Sequence, residues 1–269
     1  MVMGTTVFPA KPLGHSSYGS IGHLPGSRMD HNHQKYGTGQ VAGKDFGISA
    51  GQARICTEKV RDKRDAVYVQ EKLDGSNVGV ANIDGTLVPM GRSGYPAISS
   101  KYEQHKLFAG WVFENADRFD FLKPGERVCG EWLAQAHGTV YDLKHGPFVA
   151  FDIMRKKQER VSYAEFEQRI SDRFPIPFLI ARSPTSIEVA LDVLGHCGQH
   201  GAIDEVEGAV WRVERDGKVD FLAKYVRPSK VDGKYLPEIS GEAAVWNWRP
   251  GYASNPPAIA ADGAGKEGE

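Results

Sequence analysis

Cysteine is scarce in this 269-residue chain, which contains only Cys56, Cys129 and Cys197. Three widely separated cysteines exclude a disulfide framework and match no zinc-binding spacing. This cysteine usage is typical of a reducing compartment, and we expect a cytoplasmic protein.

Long apolar runs and a dominant charge are also missing. No segment reaches the roughly 18 apolar residues that a membrane-spanning helix needs, and no signal-peptide pattern stands at the N-terminus. We therefore expect no membrane association. Thirty-three Lys and Arg residues nearly balance 34 Asp and Glu residues, for a net charge of -1. Because the chain has no overall basic field, any site for a polyanion has to be a local patch.

The sequence lacks the regular strand–helix alternation and the glycine-rich first turn of a doubly wound nucleotide-binding fold. Its apolar runs instead predict strands, with Asp84-Gly85 and Asp216-Gly217 as hairpin turns. The predicted strands are 67–73, 78–83, 87–91, 127–133, 148–154, 207–214 and 219–226, and the first three are expected to form a meander. Three predicted helices cover about 101–118, a segment beginning at Ser162, and about 186–194. Strands and helices in this mixed order predict an α+β fold with antiparallel sheets flanked by helices.

The two ends of the chain differ in composition from its centre. Residues 1–50 are rich in Gly, His and Ser and are predicted to form a loop-rich arm. Residues 231–269 form a C-terminal extension rich in Pro, Gly and Ala, and its last part is predicted to be disordered. The main domain is then expected to cover residues 51–230.

The most informative segment is Glu71-Lys72-Leu73-Asp74-Gly75-Ser76-Asn77, at the end of an apolar strand pattern. One interpretation of Lys72 is structural, as an exposed lysine on a strand edge that pairs with Asp74. The other interpretation is catalytic, because an uncharged lysine amine is a nucleophile for phosphorus or carbonyl carbon. With a reference pKa of about 10.4, such a lysine needs burial or a nearby cation to lower its pKa.

Other polar residues stand at strand positions where apolar residues are expected. A single such residue is typically a solvated charge of an antiparallel sheet. Together they supply the cations, carboxylates and aromatic ring that nucleotidyl transfer requires. These residues are Arg92, Glu131, Phe151, Asp152, Glu207 and Lys224.

In this order the segments resemble the motifs of the covalent nucleotidyltransferases, which include the ATP-dependent DNA and RNA ligases and the mRNA capping enzymes. Lys72-Leu73-Asp74-Gly75 resembles their lysine motif, and five further motifs follow in register up to residue 227. The Lys72–Arg92 and Glu131–Phe151 spacings, each of twenty residues, and the Ser-Asn after Asp-Gly are those of RNA ligases. The chain is therefore identified as a member of the ATP-dependent RNA ligases.

The resemblance implies a role for each matching residue. Lys72 is expected to form lysyl-AMP, with Asp74 organising its loop and Lys224 contacting the α-phosphate as the third catalytic residue. The nucleotide-binding set is expected to include Glu71 near adenine, Phe151 stacked on adenine, and Arg92 and Glu131 on the ribose hydroxyls. Its other expected members are Lys72, Asn77, Glu207 and Lys224. Glu207 is also the expected ligand of Mg²⁺ or Mn²⁺. For Phe151, an ordinary core position is the alternative.

The resemblance implies that the protein joins RNA 5′-phosphate and 3′-hydroxyl ends with ATP and acts as a monomer.

Two departures from the family pattern stand out. The Lys-x-Lys of the last motif is reduced to Lys224, so one lysine role is lost or passes to Arg227 or Lys230. Only about 40 residues follow, too few for the OB-fold of DNA ligases and capping enzymes. The arm is then expected to contact substrate phosphates through His23, Arg28 and His31.

Three alternatives stay open beside the RNA ligase. They are a DNA ligase, a GTP-dependent capping-type nucleotidyltransferase, and a non-catalytic nucleic-acid-binding relative. The segment His137-Gly138-Thr139-Val140-Tyr141 is a further candidate for the lining of the site, although His137 and His145 are more typical of loop or core histidines.

Overall fold

The computed structural model describes residues 11–29 and 45–251, and ten strands in these residues form two five-stranded sheets. In chain order the strands are β1 Gly22–His23, β2 Asp65–Lys72, β3 Ser76–Ile83, β4 Thr86–Gly91, β5 Glu126–Trp132, β6 Phe148–Arg155, β7 Glu159–Arg160, β8 Leu179–Ala181, β9 Gly208–Arg215 and β10 Lys218–Val226. One sheet has the order β1-β10-β9-β2-β8, and the other has the order β4-β3-β5-β6-β7.

Antiparallel pairing dominates both sheets, which confirms the predicted α+β class. Every pairing is antiparallel except that of β1 with β10. Both predicted hairpin turns are present, with positive φ at Asp84, Gly85, Asp216 and Gly217. Asp followed by Gly suits such turns because both residues tolerate this backbone conformation.

The predicted meander of three strands is wrong in its first step. β3 pairs with β4, but β2 lies in the other sheet, between β9 and β8. The chain crosses from one sheet to the other at residues 73–75, immediately after Lys72. Sequence neighbours separated by a short polar loop usually pair, and here the loop instead changes sheets.

Five α-helices accompany the sheets in the described residues: α1 Ala50–Thr57, α2 Glu103–Glu114, α3 Tyr163–Ile170, α4 Ile187–Leu194 and α5 Pro237–Ser240. Short 3-10 helices occupy Ala97–Ser99 and Ala116–Phe119. The predicted helices correspond to α2, α3 and α4. Ser162 and Ser186 cap α3 and α4 by accepting hydrogen bonds from backbone N–H groups of the first turn, and Gly195 is the C-cap of α4. Helices α1 and α5 were not predicted from the sequence.

Each sheet has its own apolar core. The β4-β3-β5-β6-β7 sheet packs α2 and α3 against an aromatic cluster that includes Phe108, Trp132 and Phe148. The other sheet packs with α1 and α4 around residues such as Trp211. Burial of such side chains contributes about 1.5–3 kcal/mol each.

A buried ion pair links the two sheets. Arg212 on β9 donates from Nη1 to Asp152 Oδ1 on β6 at 2.6 Å, and both side chains are 1% exposed. Arg160 and Tyr18 also donate to Asp152. Because a buried charge needs several partners, this network holds the sheets in one relative position.

Within the described residues, no helix is both long and apolar enough to cross a bilayer.

Candidate active site

Lys72 is the last residue of β2, and its side chain enters the space between the two sheets. The side chain is 22% exposed, and Nζ donates a hydrogen bond to Glu207 Oε2 at 2.6 Å. Glu207 immediately precedes β9, the strand that pairs with β2 through Lys72 and Gly208. The structural interpretation of Lys72 is therefore wrong on both counts: β2 is an inner strand, and the partner is Glu207 rather than Asp74.

Lys72 is protonated in the free protein, whereas a nucleophilic lysine has to be uncharged. Burial lowers the pKa of Lys72, but the negative charges of Glu207 and Glu131 outweigh burial and raise it to about 12. In the free protein the amine is thus a charged partner of Glu207. Before it can attack, that pairing has to be weakened.

Asp74 is hydrogen-bonded to the 137–141 segment and to Lys230. Its backbone N–H donates to Tyr141 Oη at 2.9 Å, and its Oδ2 accepts from Gly138 N at 2.7 Å and from Lys230 Nζ at 2.5 Å. Burial opposes ionisation of Asp74, yet the charge of Lys230 keeps its pKa below the usual value. The 137–141 segment therefore supports the loop after Lys72.

Gly75 is required by the close approach of the lysine loop to β5. A Cβ on Gly75 would lie 2.5 Å from the carbonyl oxygen of Trp132 on β5. The Gly75 N–H donates to Glu131 Oε1 at 3.0 Å. A side chain at this position would push the lysine loop away from Glu131.

Two buried glutamate carboxyl groups interact with Lys72. Burial raises the pKa of Glu131 to about 8, although Lys72 lowers it, and Glu207 raises it further. Burial likewise raises the pKa of Glu207, against the opposing charge of Lys72. One lysine does not satisfy two buried carboxylates, so a further cation would be stabilised here.

A divalent metal fits this donor set only in part. The described residues contain no group of three or more His, Cys, Asp or Glu side chains arranged to hold a metal ion. Mg²⁺ characteristically binds one or two carboxylates together with substrate phosphates and water. Glu207 therefore suits a metal that arrives with a nucleoside triphosphate.

The site opens into a cleft of about 1360 Å³ between the sheets, and several predicted residues line it. Lys224 on β10 is 19% exposed, and burial together with the charge of Lys72 lowers its pKa. Arg92 follows β4 and donates to Ser20 Oγ at 3.2 Å. The buried Oδ1 of Asn77 on β3 has no hydrogen-bond partner among the described residues. The structure therefore brings Lys72, Asp74, Asn77, Arg92, Glu131 and Lys224 to one cleft, with Glu207 beside Lys72.

Glu71 and Phe151 are not among the residues that line the cleft. The Glu71 side chain is 2% exposed, accepts from Gln199 N at 3.1 Å, and has a pKa that burial raises to about 7. Neighbouring residues of a strand point to opposite faces, so Glu71 points away from the side that holds Lys72. Phe151 is half-buried and packs edge-on against Tyr18 at a centroid distance of 5.1 Å; Tyr18 itself lines the cleft.

Neither candidate for the missing second lysine reaches the cleft lining. Lys230 is 7% exposed and donates to Asp74 and to Thr139 Oγ1. Arg227 forms an ion pair with Glu205 at 2.8 Å. Lys230 therefore belongs to the support of the Asp74 loop.

Two of the three arm residues expected to contact phosphates have protein partners in the structure. His23 is 2% exposed, with Nδ1 2.7 Å from Ser27 Oγ and Nε2 3.3 Å from Asp45. Arg28 pairs with Asp232 at 2.5 Å. His31 lies outside the described residues.

Several residues that line the cleft were not identified from the sequence, namely Lys11, Tyr18, Tyr95, Lys101, Tyr102 and Lys157. Among them only Tyr95, Lys101 and Tyr102, which lie within eight residues of each other, gave a signal in the sequence. Aromatic and basic residues in alternation are typical of single-stranded nucleic-acid surfaces.

Comparison with known proteins places this geometry in a family. A family model described as RNA ligase matches residues 65–226, more than half of the chain. The chain belongs to the RNA ligase family. The matched region begins with β2 and ends with β10, so it contains Lys72, Glu131, Glu207 and Lys224. The resemblance read from the motifs is confirmed.

Solved structures with a similar fold are also RNA ligases. An archaeal ATP-dependent RNA ligase is 20% identical, with a TM-score of 0.43 over 61% of this chain and 43% of that chain. A Naegleria gruberi RNA ligase mutant with ATP and Mn is 17% identical, with a TM-score of 0.47 over 66% of this chain and 53% of that chain. This chain thus spans about half the length of these ligases. No curated protein matches it.

Proposed function

We propose that this member of the RNA ligase family is an ATP-dependent RNA ligase that acts through lysyl-AMP. One observation carries the proposal. Lys72 Nζ lies between the sheets, 2.6 Å from Glu207, at the inner end of a cleft that Arg92 and Lys224 also line. An amine, carboxylates and cations in one cleft form the set that nucleotidyl transfer to a lysine requires.

In the first step, Lys72 Nζ attacks the α-phosphorus of ATP, and the bond to the bridging oxygen breaks to release pyrophosphate. The proton of the ammonium has to leave first. The Glu207 carboxylate, which accepts its hydrogen bond, retains that proton on the amine in the free protein, and the proton passes to solvent water once the pairing is weakened. Glu207 is the side chain that would hold Mg²⁺ together with the phosphates, and the charge of the metal would weaken the hold of Glu207 on the Lys72 proton. Lys224, whose pKa is lowered by burial and Lys72, is assigned to the α-phosphate.

The nucleoside is assigned to the part of the cleft next to Lys72. Arg92 and Glu131 are proposed to hold the ribose hydroxyls, and the unpartnered Oδ1 of Asn77 is a ready acceptor for a substrate donor. Glu71 and Phe151 lie outside the cleft lining, so the sequence-based roles of both near adenine have no support from the geometry. Tyr18 is the aromatic side chain that lines the cleft beside Phe151.

In the later steps an RNA 5′-phosphate attacks the lysyl-AMP phosphorus, which frees Lys72 and gives a 5′–5′ pyrophosphate end. An RNA 3′-hydroxyl then attacks that end, and AMP leaves.

We propose that residues 51–230 form the nucleotidyltransferase domain, with 1–50 as the arm and 231–269 as the extension. We also propose that the protein acts as a monomer in the cytoplasm, in line with its three free cysteines.

The test separates the first step from the last. Wild-type protein should join 5′-phosphate RNA to 3′-hydroxyl RNA with ATP, and should join chemically adenylylated RNA without ATP. Lys72→Ala should lose joining from ATP while it retains joining of adenylylated RNA. A Lys72→Ala protein that joins 5′-phosphate RNA with ATP would contradict the proposal.

The alternatives give different products in the same assays. Joining of DNA ends in preference to RNA ends would support a DNA ligase, and labelling by GTP rather than ATP would support a capping-type enzyme. Binding of RNA with no adduct and no joining would support a non-catalytic relative.

A further inference from the structure

The cleft is larger than one nucleotide requires. Sites for small molecules typically enclose about 300–1,000 Å³, whereas this cleft encloses about 1360 Å³. Lys72 and Glu131 lie at its inner end. Its outer part is bounded by residues 95–102, here called the rim segment, together with Lys11 and Lys157.

Positive charge is concentrated on this cleft although the chain as a whole has a net charge of -1. The basic side chains that line it are Lys11, Lys72, Arg92, Lys101, Lys157 and Lys224. The acidic residues of the lining are Asp74 and Glu131, and both lie at the inner end beside Lys72. The outer part is thus a local basic surface that suits a polyanion.

Two tyrosines of the cleft lining each have a lysine side chain over the ring. Tyr95 is 39% exposed, and Lys11 Nζ lies over its ring at 5.1 Å from the centroid. Tyr102 is half-buried, with Lys101 Nζ over its ring at 5.0 Å. Aromatic faces with adjacent cations are the elements that bind successive bases and phosphates of a single strand. A duplex offers no unstacked bases to such rings.

The rim segment is fixed to the protein. Gly91 N donates to Tyr95 O at 3.0 Å, and Ala97 is 1% exposed in the core. Burial lowers the pKa of His105 to about 4, so its ring is neutral. Its Nδ1 lies 2.8 Å from Ser100 Oγ and its Nε2 lies 2.8 Å from Ser76 Oγ. His105 therefore couples the rim segment to the start of β3, one residue after Gly75.

We propose that the rim segment, with Lys11 and Lys157, binds unpaired nucleotides of the RNA strand that enters the cleft. Tyr95 and Tyr102 stack on bases, and the lysines contact the phosphates between them. This inference rests on the proposed RNA ligase function and adds the form of the substrate, a single-stranded segment next to the reacting end.

The test is direct binding of a fluorescent single-stranded RNA, and of the same RNA in a duplex, to the full chain without ATP. Tyr95→Ala and Tyr102→Ala should each weaken single-strand binding about 5- to 150-fold. Lys101→Gln should reduce the slope of log K against log salt by about 0.7.

Two variants outside the cleft serve as controls. Phe113→Ala removes an aromatic side chain that is 61% exposed and does not line the cleft, and Lys144→Gln removes a lysine that is 75% exposed. Both control variants should bind as wild type does.

Thermal unfolding identifies a variant that fails to fold, and Lys101→Gln, at an exposed position, keeps the test informative in that case. Unchanged single-strand affinity and salt slope in the rim variants would overturn the inference, as would an equal loss of duplex affinity. AMP-adduct formation by the wild type is measured separately and needs no RNA. Failure of that reaction would count against the ligase function, whereas failure of the binding result alone would count against the rim segment.

Discussion

Replacing Glu207 by Gln should lower the pKa of Lys72 and so make its amine more reactive. Glu207 Oε2 lies 2.6 Å from Lys72 Nζ, and the two side chains are 7% and 22% exposed. Gln keeps the size and a hydrogen-bonding oxygen but removes the charge. Burial, which lowers the pKa of Lys72, is then opposed mainly by the more distant Glu131.

The size of the effect follows from the distance. Two unit charges 2.6 Å apart interact by about 6 kcal/mol at an effective dielectric constant of about 20. Solvent and relaxation reduce this, and we take about 3 kcal/mol as the net loss. Because 1.36 kcal/mol corresponds to a pKa change of one, the pKa of Lys72 should fall by about 2 from its value of about 12.

The assay is trace labelling with an amine-reactive reagent at mildly alkaline pH, followed by peptide mass spectrometry of the Lys72 peptide. Bound AMP is removed beforehand with pyrophosphate. A fall of about 2 in pKa raises the uncharged fraction about 100-fold, and lower nucleophilicity reduces the gain in rate to between about 10- and 100-fold.

Glu205→Gln is the matched control, because Glu205 pairs with Arg227 and not with Lys72. It should leave the labelling rate of Lys72 unchanged. If Glu207→Gln labels at the wild-type rate or more slowly, then Glu207 does not control the protonation of Lys72.

Two further substitutions test the stability of the site. Burial raises the pKa of Glu71 to about 7, so the folded state holds the proton more tightly than the unfolded state and stability declines as pH rises from about 4.5 to 7. Glu71→Gln should therefore gain about 3 kcal/mol over wild type across that range, measured by urea unfolding; a pH-independent difference would contradict the shift. Lys230→Met leaves Asp74 buried without its cation and should lose about 3–5 kcal/mol. The control is Lys234→Met, which removes a half-exposed pair with Asp204 and should lose at most about 1 kcal/mol; equal losses would show that the Asp74 pair is unimportant.

The local features of the fold were predictable from sequence. The Asp84-Gly85 and Asp216-Gly217 turns, and the Ser162 and Ser186 caps, depend on interactions between residues close in the chain. The change of sheet after Lys72 was not predictable, because it depends on how distant strands pair. The alternation of apolar and polar residues in a strand predicts which residues share a face, but it does not predict which other strand pairs with that strand.

The candidate site shows the same division. Motif order indicated Lys72, Glu131 and Glu207, yet the 2.6 Å contact joins residues 135 positions apart and reverses the expected pKa change. The position of Glu71 was within reach of sequence reasoning, since adjacent strand residues point to opposite faces. For Phe151 the sequence left a stacking role and a core position open, because the choice depends on packing against Tyr18, a residue far away in the chain.

The central claim is that Lys72 is the residue that receives AMP. Wild-type protein, treated with pyrophosphate and then incubated with α-labelled ATP and Mg²⁺, should carry the label through a denaturing gel. Intact mass should increase by one adenylyl group, and peptide mapping should assign that group to Lys72. Lys72→Ala should acquire neither label nor mass. An adduct that survives Lys72→Ala, or that maps to another residue, would contradict the account.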